Sequence, residues 1–310
     1  MSTPPVRREY DPDVDRPVRH PGLISGMPEG IYHADPTAAG SLSVHSSAPL
    51  VAPGGVPSDY VDAVTHPRGP SAAMEVGTAF HSLLLGTGAV PVLCDYDSWR
   101  TKAAQERRRE VRESGGVPLL PADYAMVHSM VGAVHQDPRI APFVQGGVVE
   151  QSGFVQDPDT GVWLRGRADI LHIGDTTLHI VDPKTTESLR DGDISRDMAR
   201  FGYHRQAAWY VDLFGVLTGT PTRGVEFHFL FVRKSAPSRA RVVALDPADV
   251  AEGRRLNRAA IARYAQCMEQ GEFPTYRAVS VVRLPPWARG TTDTDTDTDT
   301  DPFDDTDQWS

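Results

Sequence analysis

The sequence predicts an α/β fold, because segments with strand character and segments with helix character follow one another along the chain. Between residues 148 and 183, three short stretches rich in β-branched and aromatic residues are separated by turn residues, which is typical of neighbouring strands. On both sides of this region, apolar residues recur at the spacing of amphipathic helices. A chain of 310 residues is also long enough to bury a sizeable core.

The N-terminal half predicts helices joined by loops. Residues 1–28 are polar and rich in Pro and Arg, and we expect them to form a flexible arm. Many Gly, Pro, Ser and Ala residues between 34 and 70 indicate loops and short helical turns. Helices are expected at 71–85, with a serine cap at its start, at 97–113 and at 121–136.

The C-terminal half predicts the sheet. Strands are expected at 148–156, 161–173 and 177–183, and the turns between them predict an antiparallel meander. Two further strands are expected at 225–232 and 241–245.

Two helices complete this half. A long amphipathic helix is expected at 193–217. The last helix is expected at 247–270, because Asp246 is a suitable N-cap, Pro247 fits the first helical position and Gly271 follows the end.

These segments divide the chain into three regions. The arm covers 1–28, one folded domain covers 29–289, and the segment 290–310 is dominated by alternating Thr and Asp. A segment of that composition cannot bury apolar surface, so we expect a disordered acidic tail.

The net charge of −10 does not exclude nucleic acid as a partner. Eight of the 41 acidic residues are aspartates in 291–310, which has no Lys or Arg, so the other 290 residues carry 33 acids against 31 bases. Between Arg100 and Arg112, six basic residues face only two acids. This stretch predicts either a patch that meets phosphates or a solvated helix face.

Cysteine content and hydropathy exclude other classes. Two cysteines, Cys94 and Cys267, cannot form a disulfide framework or a four-cysteine metal site. No apolar run approaches the roughly 18 residues of a membrane span, and residues 1–19 lack the apolar region of a secretory signal. We expect a soluble, cytoplasmic protein without a membrane partner.

Acidic and basic side chains converge beside the second turn of the meander. Asp182 and Lys184 are two residues apart on one strand, so their side chains point to one face, and Pro183 between them has a carbonyl free to accept or to ligate. Because Pro183 lacks an N–H group, it indicates a strand end, where active sites are common. The turn at 174–176 brings Asp169 beside Asp182.

Two adjacent carboxylates repel each other, and a divalent cation removes the repulsion. Oxygen ligands favour Mg²⁺ or Mn²⁺, and Lys184 beside such an ion could orient or deprotonate an attacking water. The expected chemistry is metal-dependent hydrolysis of phosphodiesters. The alternative is that Asp182 and Lys184 form a surface ion pair near a turn.

Six ordered motifs resemble those of the PD-(D/E)XK nuclease superfamily, and within it the RecE-like (exonuclease VIII type) and RecB-like phage recombination exonucleases. The resemblance runs from about Ile31 to Tyr276, which is most of the chain. It implies a restriction-endonuclease-like core, in which helices flank a central mixed β-sheet. The motifs are Gly30–His33, Met74–His81, Gly166–Asp169, Asp182–Thr186, Tyr203–Tyr210 and Phe273–Tyr276.

The resemblance implies a role for each matching residue. The metal ligands would be His81, Asp169, Asp182 and the carbonyl of Pro183, and Lys184 would activate the water. The two aspartates and the lysine would thereby form the catalytic set.

Other expected site residues surround this set. Glu150 matches an acidic position that supports the catalytic site in such enzymes. Gln206 and Tyr210, four apart on one helix, would touch DNA or brace the catalytic strand. Arg165 and Arg167 flank the first catalytic strand and are expected to contact phosphates.

The function implied by the resemblance is a Mg²⁺-dependent double-strand DNA exonuclease, with Mn²⁺ as a substitute. It would degrade one strand from a duplex end in the 5′ to 3′ direction and leave a 3′ tail for a single-strand annealing protein in phage recombination. Relatives assemble into rings, so a homo-oligomer is implied.

Other functions stay open from the sequence. A catalytically silent DNA-binding or scaffold protein would keep the same fold, although it has no need of four polar groups at His81, Asp169, Asp182 and Lys184. A DNA endonuclease, for example of the CRISPR-adaptation type, is a further alternative. That type needs an iron–sulfur cluster, for which two cysteines are too few.

Overall fold

A computed structural model describes residues 6–66 and 72–284 of the chain. The strands within these residues are β1 (Val6–Glu9), β2 (Gly22–Ser25), β3 (Ser41–Leu42), β4 (Pro91–Leu93), β5 (Val117–Leu119), β6 (Val148–Gln156), β7 (Trp163–Ile173), β8 (Leu178–Thr186), β9 (Val225–Arg233) and β10 (Ala240–Val243). The helices are α1 (Glu29–His33), α2 (Pro57–Thr65), α3 (Ala72–Leu85), α4 (Lys102–Glu113), α5 (Pro121–Gln136), α6 (Asp191–Phe201), α7 (Tyr203–Thr218) and α8 (Pro247–Gln270).

The predicted mixed sheet with flanking helices is confirmed. Seven strands follow the order β1-β2-β6-β7-β8-β9-β10, and β3 adds to β7. The meander β6-β7-β8 is antiparallel, whereas β8 and β9 are parallel, as α6 and α7 connect them. A small parallel pair, β4 and β5, lies apart from this sheet.

Helices cover both faces of the sheet because its central strands are apolar on both sides. Leu178 and Ile180 of β8 belong to a core cluster with residues of α7 and α8. Val181 belongs to a second cluster with residues of α3 and α5. This alternation follows the period of two along a strand, so each residue of β8 can be assigned to one face.

Most predicted segments agree with the structure, and the longest one does not. Helices α5 and α8 and strand β6 have the predicted bounds. The side chain of Asp246 caps α8 by accepting from the amide of Ala248. The predicted helix at 193–217 is instead two helices, because Gly202 adopts φ +68° and ends α6 before α7 begins.

The predicted flexible arm at 1–28 is wrong for its described part. Residues of β1 and β2 pair in parallel, and β2 joins β6 from Gly22↔Phe154 to Ile24↔Ser152. Leu23 and Ile24 are buried, so this segment forms part of the core despite the Pro- and Arg-rich composition around it.

The chain divides into a main unit that runs to Thr275 and a short unit from Tyr276 onward. The described part of the short unit, 276–284, contains no helix or strand. The predicted acidic tail at 290–310 lies outside the described residues and stays a prediction. None of the described helices combines the length and hydrophobicity that a membrane span requires.

Candidate active site

The predicted catalytic residues lie where strands β7 and β8 separate. The two strands pair from Ile173↔Leu178 to Ile170↔Val181, and the pairing stops there. Asp169 and Asp182 are the next residues on the two strands, so their side chains meet at the point of separation. Strand β8 itself continues beside β9 as far as Thr186.

The prediction that Pro183 ends its strand is therefore wrong in detail. Pro183 lies inside β8 and pairs with Leu230 of β9. Pro183 lies beyond the last β7–β8 pair, so at this position β8 pairs with β9 and no longer with β7. A proline can be accommodated where a ladder has ended on one side.

Asp169 and Asp182 form a close carboxyl pair. Burial raises the pKa of Asp169 well above its usual range, and the adjacent, hydrogen-bonded Asp182 raises it further. Asp182 is buried, and the Asp169 side chain is 18% exposed. The charge of the nearby Lys184 lowers the pKa of Asp169 but does not cancel this increase, so ionisation of both carboxyls together is disfavoured.

Lys184 supplies a positive charge directly beside the pair. Its Nζ lies 2.5 Å from Oδ2 of Asp182 and 5.2 Å from the ring centre of Tyr203. Burial alone would lower the pKa of Lys184, but the charges of Asp182 and Asp169 outweigh burial and raise it. Lys184 is therefore an ammonium group in this state of the site.

Gln206 of α7 holds Asp182 from the helical side. Its Nε2 donates to Oδ1 of Asp182 at 2.5 Å, and both side chains are buried. The other oxygen, Oδ2, contacts Lys184 but accepts no well-aligned hydrogen bond from the described residues. One carboxylate oxygen is thus fixed, while the other keeps lone pairs for a cation.

His81 of α3 reaches the same point from the opposite face of the sheet. Its Nε2 donates to the carbonyl of Pro183 at 2.8 Å, and its Nδ1 lies 3.8 Å from Oδ2 of Asp169. Burial and the nearby Lys184 lower the pKa of His81, so the ring is neutral. A cation bound to both His81 and Pro183 would replace the hydrogen bond between them.

Glu150 has a strained backbone next to this group. Its φ is +51°, which is uncommon for a residue with a Cβ and costs of order 1–3 kcal/mol. Val149↔Ile170 and Gln151↔Ala168 pair on either side of it, while Glu150 and Asp169 between them do not. Burial raises the pKa of Glu150, and its carboxylate lies 3.4 Å from Arg167.

The donors at this point fit a hard divalent cation. Asp169, Asp182 and Glu150 offer carboxylate oxygens, Pro183 a carbonyl, and His81 a neutral ring nitrogen. The buried Oδ2 of Asp182 lacks a well-aligned hydrogen bond and has the Lys184 ammonium as its charged neighbour, so a bound cation would share this oxygen with Lys184. Mg²⁺ and Mn²⁺ match a set in which oxygen atoms dominate.

Arg165 and Arg167 do not occupy the position predicted for phosphate contacts. Both are buried and donate hydrogen bonds to the segment between Met27 and Ser41. Arg165 forms an ion pair with Asp35 at 2.7 Å. Arg167 donates to the carbonyl of Met27 at 2.8 Å. Each guanidinium group thus has partners inside the protein, although Nε of Arg165 has no hydrogen-bond partner among the described residues. These contacts do not favour the expected phosphate contact, which stays a prediction.

Gln206 and Tyr210 brace the sheet, which is one of the two roles expected for them. The Tyr210 hydroxyl lies near the backbone of Arg167, and its ring packs where Gly166 leaves space. Gln206 and Tyr210 are 3% and 7% exposed, respectively, which leaves almost no surface for DNA. The bracing role is the one that these contacts favour.

The basic stretch at 100–112 is also largely neutralised. Arg108 and Arg112 of α4 each lie 2.6 Å from a carboxylate oxygen of the buried Glu75. Arg107 and Arg109 form ion pairs with acids of their own helix. These contacts support the solvated helix face over the phosphate-binding patch.

Two residues near the site were not predicted to interact with Lys184. The ring of Tyr203 lies against the Lys184 ammonium. His45 is partly accessible to solvent, and desolvation and the charge of Lys184 lower its pKa. Tyr203 lies three residues before Gln206 on the same helix, and this spacing could have predicted that Tyr203 faces the site. His45 lies in an irregular segment, where no periodic pattern predicts its position.

Comparisons with known proteins give the family and the fold of the chain. A model of the PDDEXK-like domain of unknown function DUF3799 matches residues 59–283. The crystal structure of an exonuclease candidate from Eubacterium rectale is similar at a TM-score of 0.55 and 14% identity, over 79% of this chain and 90% of that one. At this identity, the likeness shows the fold alone.

Another solved structure, a phage related exonuclease from Haemophilus somnus 129PT, aligns at a TM-score of 0.28 and 12% identity, over 75% of this chain and 96% of that one. No curated protein matches the sequence.

Proposed function

The chain belongs to the PDDEXK-like domain family DUF3799, and on this premise we propose that it is a metal-dependent nuclease that hydrolyses phosphodiester bonds of DNA. The observation that carries the proposal is the buried pair Asp169–Asp182 with Lys184 beside it, at the separation of β7 and β8. A structural ion pair would need one carboxylate. A second carboxylate with a raised pKa is energetically unfavourable, because the two groups repel each other when both are ionised. Binding of a cation would offset this repulsion.

The cation would be held by Asp169, Asp182, the Pro183 carbonyl and His81, and Glu150 would support it. Mg²⁺ is the proposed ion, and Mn²⁺ would substitute. When bound, such an ion lowers the pKa of a coordinated water and stabilises negative charge on the phosphate.

Lys184 would act on the attacking water. As an ammonium group beside Asp182, it can donate a hydrogen bond and orient a water, but it cannot accept a proton. It becomes able to accept one only when the charges of Asp169 and Asp182 are compensated, because those charges raise its pKa. Gln206 keeps Asp182 in position throughout, since its donor is fixed on α7.

The finer proposal is a double-strand DNA exonuclease that works 5′ to 3′ and leaves 3′ tails for an annealing protein in phage recombination. The motif resemblance supports it, and the Eubacterium rectale structure with this fold is itself described as an exonuclease candidate. A homo-oligomeric ring belongs to the same proposal.

The test compares linear duplex DNA with covalently closed circles, each with Mg²⁺ or with excess EDTA. We expect degradation of the linear DNA only, and only with Mg²⁺. Equal cleavage of the circles would indicate an endonuclease and contradict action at ends. DNA binding without any cleavage would indicate a silent scaffold, and cleavage in EDTA would contradict metal dependence.

A further inference from the structure

A second group of metal-binding side chains lies on the sheet away from the catalytic carboxyls. His179 is on β8, and Glu226 and His228 are on β9. His179 and Glu226 are paired residues of the two parallel strands, and His228 is two residues further along β9. All three side chains therefore project from one face of the sheet.

This face is not the one that carries Asp182. His179 and Asp182 are three residues apart on β8, so their side chains project to opposite faces. The His228 ring contacts the Phe143 ring at 5.3 Å between centres, on the side of the sheet covered by α5. Three residues of strand also separate the two groups by about 10 Å along β8.

The ligand atoms of the three side chains converge on one point. All lie within 4.8 Å of one another. Nδ1 of His179 is 3.2 Å from Oε2 of Glu226, and Nε2 of His228 is 3.8 Å from the same oxygen. Two ligands of a tetrahedral zinc ion are about 3.3 Å apart, given metal–ligand distances of about 2.0–2.1 Å. The two separations from Glu226 bracket that value. The two imidazole rings are nearly parallel, with centres 6.4 Å apart, so rotation of the histidine side chains would be needed to direct both nitrogens at one ion.

We propose that His179, Glu226 and His228 form a site for a late first-row divalent metal ion such as Zn²⁺ or Co²⁺. Two imidazole nitrogens and one carboxylate oxygen are a donor set that such ions prefer, whereas Mg²⁺ prefers oxygen alone. The site is separate from the catalytic carboxyls in position and in metal class.

Exposure leaves room for a solvent ligand. The side chains of His179 and Glu226 are 39% and 58% exposed, and that of His228 is 16% exposed. The protein thus supplies three ligands from a half-buried position and leaves a fourth coordination position open to water. An ion there would also join β8 to β9 on the face opposite Asp182.

The test measures Co²⁺ binding to the full chain by its visible absorption, in saturating Mg²⁺ and with Zn²⁺ as competitor. The Asp182→Asn variant is the background, so that cobalt bound at the catalytic carboxyls is reduced. We expect one Co²⁺ per chain that Zn²⁺ displaces. Glu226→Gln and His179→Ala should each weaken Co²⁺ binding at least roughly tenfold, the scale seen on disturbing a metal site.

His172→Ala is the matched control. His172 is the cross-strand neighbour of His179, but its Nε2 is 3.0 Å from the Phe143 carbonyl and is already hydrogen-bonded. Its replacement should leave the cobalt affinity unchanged. Equal Co²⁺ affinity in Glu226→Gln, His179→Ala and the background protein, or no cobalt absorption at all, would overturn the proposal. None of these results depends on DNA cleavage, so the nuclease proposal is tested separately.

Discussion

At the scale of single residues, Lys184 depends on its neighbours for its charge state. Lys184→Met keeps the length of the side chain and removes the ammonium group next to Asp182. We expect kcat for DNA cleavage to fall at least about a hundredfold, the lower range for a general acid–base group. DNA affinity should change little, since one charge near a buried pair contributes little to duplex binding. Single-turnover rates and a binding titration on the same linear duplex separate the two quantities.

Lys102→Met is the control for this change. Lys102 is an exposed lysine at the start of α4, away from the predicted catalytic motifs. Its replacement should leave kcat unchanged. A Lys184→Met enzyme that cleaves at the wild-type rate would show that Lys184 has no part in activating water.

Gln206 is a positioning residue, because it touches Asp182 and has almost no exposed surface. Gln206→Leu removes the donor to Oδ1 and leaves that oxygen free to turn. We expect the Mg²⁺ concentration for half-maximal cleavage to rise about 10- to 100-fold, as for other residues that orient a metal ligand. Higher Mg²⁺ should restore most of the rate.

A merely structural role for Gln206 would give a different result. The variant would then lose rate at every Mg²⁺ concentration and melt earlier. Gln136→Leu, at the exposed end of α5, should match the wild type in Mg²⁺ dependence.

At the scale of elements, local patterns were enough for most helices and strands. The meander places Asp169 next to Asp182 because a short turn fixes the register of neighbouring strands, and that prediction needs no distant contact. The break at Gly202 was missed, since a glycine inside a helical pattern is tolerated and the pattern continues on both sides.

Features that depend on distant parts of the chain could not be predicted. Arg165 and Arg167 are buried because residues 27–41 lie against them and provide Asp35 and the Met27 carbonyl. Strands β1 and β2 join the sheet through β6, more than a hundred residues away in sequence. From the polar composition of these segments alone, both the two arginines and the N-terminal strands are expected to be exposed to solvent.

Arg258 of helix α8 forms ion pairs with Asp157 and Asp159 of the β6–β7 turn, and Asp157 is the buried one of the two. Burial alone would raise the pKa of Asp157, but hydrogen bonds from Arg258 and Thr160 lower it. The pKa of the unfolded carboxyl is about 3.9. The contact therefore stabilises the protein above this pH and is lost as pH falls through the lower folded pKa.

Arg258→Ala should accordingly lower the free energy of unfolding by about 1–2 kcal/mol at neutral pH, because Asp157 is buried and loses a charged donor. The difference from wild type should shrink below about pH 4, as measured by urea denaturation. Arg255→Ala, which breaks an exposed pair with Glu252 on the same helix, should destabilise the protein much less than Arg258→Ala, because solvent screens that pair. If the loss of unfolding free energy in Arg258→Ala stays constant down to acid pH, the stabilising role assigned to the Arg258–Asp157 contact is wrong.

At the scale of the whole molecule, the acidic residues at 291–310 dominate the net charge. Without them, the other residues carry a net charge of −2. Removing 291–310 should raise DNA affinity at low salt or leave it level, and the effect should shrink at high salt. The melting temperature should hardly change. If the truncated protein no longer cleaves DNA or has a lower melting temperature, the segment is part of the folded domain.

The most direct measurement is Mg²⁺-dependent cleavage of an end-labelled linear duplex by Asp182→Asn. The change keeps the side-chain shape and removes the charge at the centre of the site, where Asp169, Lys184 and Gln206 converge. We expect cleavage to fall by at least about three orders of magnitude while the protein stays folded. Asp175→Asn, at the turn of the same hairpin, should cleave like the wild type. An active, folded Asp182→Asn protein would contradict the assignment of this site as the nuclease centre.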